Sequence, residues 1–131
     1  MALKAGTSAE LTVVVDESMT ADRLGNPGAA VFATPMLVRY FESAALQLLA
    51  PELETGQGSV GISLNVRHLA ATPVGMEITF RATLAEVDGR RLTFRLEAAD
   101  ERETVGEGTH ERFLVDMEKF LSRVRAKSPG Q

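Results

Sequence analysis

Apolar and polar residues alternate through four consecutive stretches in the second half of the chain. Alternation with a period of two is the pattern of a strand that has one buried face. The Asp88-Gly89 pair between the second and third stretches is a sequence that favours a two-residue hairpin turn. The pattern therefore predicts antiparallel strands at residues 59–68, 77–87, 90–99 and 104–115.

The first half of the chain follows a different pattern. Residues 10–15 are rich in Leu, Val and Thr and predict a first strand. Residues 36–49 repeat apolar side chains at helical spacing. Thr34 is a suitable N-cap for this helix, Pro35 suits its first position, and Pro51 ends it. Residues 117–126 predict a short last helix with Phe120, Leu121 and Val124 on its apolar side.

Apolar residues of the long helix lie on more than one of its sides. One stripe contains Leu37, Phe41, Ala44 and Leu48, and a neighbouring stripe begins at Val38. A helix of this kind needs a sheet that curves around it. We expect an α+β structure of the hot-dog type, in which a curved antiparallel sheet wraps a central helix, as a single domain over residues 1–131.

Composition excludes several classes of function. The 131 residues include no cysteine, so thiol catalysis, disulfides and zinc–cysteine sites are excluded. The two histidines lie far apart in sequence, and we expect no metal site. The net charge of −4 and the scattered basic residues give no support to nucleic-acid binding. No membrane-length apolar run or signal peptide is apparent, so we expect a cytoplasmic protein.

Two ionisable residues interrupt the apolar faces of predicted elements. Glu42 lies in the helix stripe that contains Val38 and Ala45, and His68 ends the apolar face of the strand at residues 59–68. Burial of such groups is costly unless they are paired or used in chemistry. A carboxylate that pairs with an imidazole can fix its tautomer and raise its basicity. Alternatively, Glu42 could attack the substrate or activate water directly.

Four segments of the chain resemble those of the fluoroacetyl-CoA thioesterase family, which comprises small hot-dog acyl-CoA thioesterases. They are residues 58–61, 68–75 (HLAATPVG), 87–92 and 106–112, which contains GTHER. The resemblance extends from about Leu11 to Pro129. It implies hydrolysis of a short-chain acyl-CoA thioester, with coenzyme A as part of the substrate and no separate cofactor. It also implies a homodimer, which the exposed edges of an open sheet favour independently.

The resemblance also implies a set of site residues. The catalytic threonine, glutamate and histidine correspond to Thr34, Glu42 and His68. Thr34 would act as nucleophile or position the carbonyl, since a helix N-terminus suits a developing oxyanion. Gly61 corresponds to an active-site glycine that assists the oxyanion. Arg112, which the strand pattern alone would make a surface charge, corresponds to an arginine with a structural role or an acyl-pocket role near the site.

The chain departs from this family in the loop before the long helix. The member that selects a fluorinated acyl group resembles an enzyme with a lid of apolar aromatic residues there, whereas residues 22–28 contain no aromatic residue. We therefore expect a broader or different short-chain acyl substrate. Two alternative functions share parts of the pattern: a hot-dog dehydratase of 3-hydroxyacyl thioesters, and a non-enzymatic acyl-CoA binding module.

Overall fold

A computed structural model describes residues 3–129 of the chain. Within this range the chain forms β1 (Ser8–Val14), α1 (Thr34–Leu49), β2 (Gln57–His68), β3 (Glu77–Asp88), β4 (Arg91–Asp100), β5 (Thr104–Asp116) and α2 (Met117–Arg125). The predicted strands and helices are all present. Among the described residues, no helix is long and apolar enough to cross a membrane.

The strands form one antiparallel sheet in the order β1-β3-β4-β5-β2. The hairpin between β3 and β4 turns at Gly89, whose φ of +61° is unfavourable for other residues. β2 pairs with β5 on one side only, so its other side is a free edge of the sheet. The pairing of β2 shifts between Gly61 and Ser63, which makes Ile62 the extra residue of a bulge.

Helix α1 packs against the inner face of the sheet. Its buried residues are Leu37, Phe41, Ala44, Ala45, Leu48 and Leu49. The inward residues of β3 and β4, such as Phe80 and Phe94, are fully buried against them. Tyr40 lies beside the core, with its ring centroid 6.3 Å from that of Phe32 and 5.5 Å from that of Phe80. The two apolar stripes of the sequence therefore account for the wrapped position of α1.

One detail of the predicted helices is wrong. The N-cap of α1 is Ala33, and Thr34 is the first helical residue, so Pro35 occupies the second position. The side chain of Thr34 makes a tertiary hydrogen bond instead of a cap. In α2, no residue is buried, although its first turn is capped by the carboxylate of Asp116, which accepts from the Lys119 N–H. The apolar side of α2 therefore adds nothing to the buried core.

Candidate active site

The Thr34 hydroxyl lies 2.8 Å from Nδ1 of His68, which is the last residue of β2. The start of α1 and the end of β2 thus bring together two of the three predicted catalytic residues. This distance is within the range in which an imidazole can take a proton from a hydroxyl. A contact of this kind suits a hydroxyl nucleophile with an adjacent base.

The other ring nitrogen of His68 is buried without a partner. Nε2 has no hydrogen-bond partner in the part of the chain that the structure describes. The edge of the ring faces Phe32, at 6.5 Å between ring centroids and an interplanar angle of 78°. Burial lowers the pKa of His68 below its ordinary value of 6.5, so the imidazole is neutral at pH 7 and can act as a base.

Glu42 pairs with Arg112 and not with His68, so the predicted Glu42–His68 pair does not form within one chain. Oε2 of Glu42 accepts a 2.8 Å hydrogen bond from Nη1 of Arg112. The Glu42 side chain is 46% exposed, whereas that of Arg112 is 5% exposed. Glu42 therefore lies at the margin of the core, where Arg112 holds one oxygen and no hydrogen bond is found for Oε1 among residues 3–129.

Arg112 is buried, contrary to what its strand position alone suggests. Its Nε donates to the Ser59 hydroxyl at 2.8 Å, and its Nη2 donates to the Ser59 carbonyl at 3.0 Å. Its Nη1 also donates to Nε2 of His110, at 3.2 Å. The guanidinium thus connects three neighbouring groups and fixes the direction of the Glu42 carboxylate.

His110 is almost fully buried and has both ring nitrogens in hydrogen bonds. Because arginine can only donate, Nε2 of His110 must accept from Arg112, which places the proton on Nδ1. That N–H donates to the Ser63 carbonyl at 2.8 Å. Burial lowers the pKa of His110, the nearby Arg112 charge lowers it further, and the Ser63 bond and Glu42 oppose this effect. His110 is therefore a neutral imidazole of defined tautomer.

Gly61 lies close to the Glu42–Arg112 ion pair. A Cβ atom at this position would lie 3.0 Å from Oε2 of Glu42 and 3.3 Å from Nη1 of Arg112. Both contacts are shorter than most Cβ contacts, so the ends of the Glu42 and Arg112 side chains would have to shift by a few tenths of an ångström to admit a Cβ atom. Gly61 thus leaves the Glu42 carboxylate accessible from the edge of the sheet.

The five predicted site residues form two groups within one chain. Thr34 and His68 make the first group, and Glu42, Gly61 and Arg112 make the second. Glu42 follows Thr34 by eight helical residues, or about 12 Å along the axis. His68 follows Gly61 by seven strand residues, or roughly 20 Å. One chain therefore does not bring its carboxylate to its histidine.

Sequence reasoning missed Ser59 and His110 as members of the second group. The signal was present in β5, where His110, Arg112 and Leu114 alternate on one face. The inward direction of that face follows from Leu114, which is buried with the core. A histidine and an arginine on such a face predict a buried polar cluster.

A cleft of 360 Å³ opens beside the Thr34 hydroxyl. It is lined by Ala21, Asn26, Ala29, Val31, Phe32, Thr34, His68, Leu69, Ala70 and Ala71. The lining includes the first group of site residues and carries no residue that is charged when His68 is neutral. The cleft can therefore hold an uncharged substrate group within reach of Thr34 and His68.

The low pKa values of the two histidines predict a stability that falls in mild acid. The unfolded chain takes up protons near pH 6.5, whereas His68 and His110 in the folded chain resist protonation until lower pH. The free energy of unfolding should therefore decrease as the pH falls through 6.5, by up to about 1.4 kcal/mol per pH unit for the buried His110. Urea unfolding between pH 5 and 7.5 measures this slope. A slope that His110→Gln leaves unchanged would contradict the assignment.

Known proteins share this fold and much of this sequence. The model of the fluoroacetyl-CoA-specific thioesterase family, FlK, matches residues 15–118. The fluoroacetyl-CoA thioesterase of Streptantibioticus cattleyicolor is 46% identical over 100 residues, which cover 76% of this chain and 72% of that protein.

Two solved structures extend the comparison to the fold. A threonine-to-serine mutant of FlK in complex with acetyl-CoA has a TM-score of 0.90 and 38% identity, and the match covers 97% of this chain and 100% of that one. A hot-dog-like protein from Thermanaerovibrio acidaminovorans has a TM-score of 0.89 and 26% identity, over 97% and 94% of the two chains. The predicted hot-dog fold is confirmed. By both family model and identity, the chain belongs to the fluoroacetyl-CoA-specific thioesterase family.

Proposed function

We propose that this protein hydrolyses acyl-CoA thioesters to a free acid and coenzyme A, with Thr34, His68 and Glu42 at the reacting centre. The single observation that carries the proposal is the 2.8 Å contact between the Thr34 hydroxyl and His68, beside a cleft, in a member of a thioesterase family. The relative that resembles this chain is a fluoroacetyl-CoA thioesterase, and FlK has been solved with acetyl-CoA. Coenzyme A enters as part of the substrate, and the proposal needs no other cofactor.

The geometry supports Thr34 as the nucleophile. Nδ1 of His68 takes the hydroxyl proton as Thr34 Oγ1 attacks the thioester carbonyl carbon. The C–S bond then breaks, and the coenzyme A thiolate leaves with the proton that His68 returns. Water, activated by the same imidazole, then releases the acid from the acyl-threonine.

The N-terminus of α1 supports stabilisation of the oxyanion. Pro35 has no N–H, and the N–H groups of Met36 and Leu37 donate to the Ala33 carbonyl. The Thr34 N–H has no acceptor in the part of the chain that the structure describes, so it can donate to the substrate. The positive end of the helix dipole adds to the same effect at the carbonyl oxygen.

The separation of the two groups supports a homodimer in which each site takes residues from both subunits. β2 is a free edge strand of 12 residues, and such an edge is a template for pairing with another strand. The side chain of Ile62 is largely exposed on it. Pairing of two β2 strands about a twofold axis would cover both edges at once.

The alternation of β2 is compatible with a register centred on Asn65, which we propose for this pair. Leu64, Val66 and His68 share the inner face, so an antiparallel pair centred on Asn65 sets Leu64 beside Val66 of the partner subunit. The same register sets His68 beside the bulge that follows Gly61 of the partner subunit. The two groups, which lie apart within one chain, would thus meet across the interface.

In this dimer the unpartnered Nε2 of His68 gains an acceptor. The Nε2–H would donate a hydrogen bond to Oε1 of Glu42 of the partner subunit, whose other oxygen is held by its own Arg112. A carboxylate in this position orients the imidazole and stabilises the imidazolium that forms during attack. Gly61 leaves space for the carbonyl of the substrate, and Arg112 acts through Glu42.

The absence of cysteine suits a reducing compartment, and we place the protein in the cytoplasm.

Release of free thiol from acyl-CoA substrates tests the proposed function. The chain contains no cysteine, so a thiol reagent detects only the released coenzyme A. We expect turnover with at least one of acetyl-, fluoroacetyl-, propionyl-, butyryl- and phenylacetyl-CoA. His68→Ala should lower kcat by about 10²- to 10⁴-fold, because it removes the base.

Arg67→Ala is the matched control, since Arg67 is the exposed neighbour of His68 and points to the other face of β2. It should keep wild-type kcat. Thiol release that survives in His68→Ala would contradict the assigned base. Hydration of an enoyl-CoA without any thiol release would instead support the dehydratase.

A further inference from the structure

We propose that the cleft beside Thr34 receives the acyl chain, and that the preferred substrates carry apolar acyl groups longer than acetyl. This inference rests on the proposed function and names its substrate class. The cleft volume of 360 Å³ lies in the range of pockets that hold drug-sized ligands, far above the need of a two-carbon group.

Small side chains keep the cleft wide. Four of its ten lining residues are alanines, at positions 21, 29, 70 and 71. Between Ala21 and Val31 the wall presents no aromatic ring, and the first ring of the lining is that of Phe32. An apolar acyl chain that fills this space buries apolar surface and gains van der Waals contacts with the small residues that line it.

The wall of the cleft formed by residues 21–31 is held in place by hydrogen bonds within this segment. The Ala21 N–H donates to the Val31 carbonyl at 2.8 Å, and the Asp22 N–H donates to the Ala29 carbonyl at 2.8 Å. The Gly28 N–H donates to the Asp22 carboxylate at 2.7 Å. Because these hydrogen bonds fix the segment, it does not fold into the cleft, and the space remains available to substrate.

The chemistry of the lining selects the class of acyl group. Asn26, Thr34 and the neutral His68 are its polar residues, and no lysine or arginine contributes to it. A dicarboxylic acyl group would bury its free carboxylate there without a cation, which is costly. The nucleotide end of coenzyme A, which carries several phosphate charges, is disfavoured for the same reason. An uncharged aliphatic or aryl chain meets no such cost.

The test compares kcat/KM for acetyl-, butyryl-, hexanoyl- and phenylacetyl-CoA in the wild type and in Ala29→Phe. Ala30→Phe is the matched control, because Ala30 is exposed in the same segment and does not line the cleft. We expect the wild type to prefer a longer acyl group to acetyl by at least about tenfold. Ala29→Phe should lower kcat/KM for the longer groups by about tenfold or more relative to that for acetyl-CoA.

The outcomes separate this inference from the proposed function. Cooperative urea unfolding like that of the wild type shows that Ala29→Phe is folded, and Ala29→Leu should give a smaller loss in the same direction. A wild type without any preference for longer groups would overturn the inference. So would a uniform rise in KM for all substrates in Ala29→Phe, which would assign the cleft to the pantetheine arm. A wild type without thiol release from any acyl-CoA would overturn the proposed function itself.

Discussion

Subunits with His68→Ala and subunits with Glu42→Gln, each inactive alone, are expected to regain about a quarter of the wild-type activity when they are unfolded together and refolded as a mixture. Half of the dimers would then be mixed, and each mixed dimer would combine an intact His68 with an intact Glu42 at one of its two sites. Thiol release per subunit measures the recovery. The reason is the separation of Thr34 and His68 from Glu42 within one chain, which only a second copy can bridge.

A second mixture gives the opposite outcome. Wild-type subunits refolded with the double variant His68→Ala/Glu42→Gln should lose about half of the activity expected for the wild type present, because neither site of a mixed dimer is complete. If each site were built within one chain, the first mixture would stay inactive and the second would lose nothing. Either of these results would contradict the shared site.

Among the substitutions considered for this site, replacement of Arg112 should cause the largest decrease in the free energy of unfolding. Arg112→Met fills a similar volume but leaves the Ser59 carbonyl, Nε2 of His110 and the Glu42 carboxylate without their donor. Loss of one partner of a buried ion pair costs about 3–5 kcal/mol. We expect a value near the lower end, because Glu42 is half exposed and can turn to water. Urea unfolding at pH 7 measures the change in the free energy of unfolding.

Arg112→Lys and Glu42→Gln serve as controls for this prediction. Lysine cannot reproduce the forked contacts with Ser59, so it should recover only part of the lost free energy. Glu42→Gln keeps an acceptor for Nη1 of Arg112 and should cost less than about 1 kcal/mol. A loss below about 1 kcal/mol for Arg112→Met would show that the cluster does not anchor the fold.

The elements of this fold were predictable because their signals are local. Alternation along residues 77–87 and 90–99 and the Asp88-Gly89 turn predicted β3 and β4 to within one residue at each end. Thr34-Pro35 was ambiguous, since this pair suits a helix start in two registers one residue apart. The hydrogen bond from Thr34 to His68 is a tertiary contact, which the local sequence does not contain.

The pairing of the site residues was less predictable. Glu42 and His68 were both predicted to point inward, and Glu42 lies at the margin of the core. Their distance depends on where α1 crosses the sheet, and periodicity carries no such information. The burial of Arg112 depends on the register of β2 with β5, which sets Ser59 and His110 around the guanidinium. Under the proposed arrangement, the glutamate that completes the site at His68 belongs to the second subunit. The sequence of one chain does not show how two copies pair.

The position of Tyr40 also allows the fluorescence of this residue to report on the cleft. The chain has one tyrosine and no tryptophan, so its near-ultraviolet emission comes from a single ring. That ring stacks on Phe32, which lines the cleft, and the guanidinium of Arg39 lies 5.7 Å from its centroid. A ligand that shifts Phe32 should change the emission of Tyr40, so binding can be titrated without a label on an inactive variant.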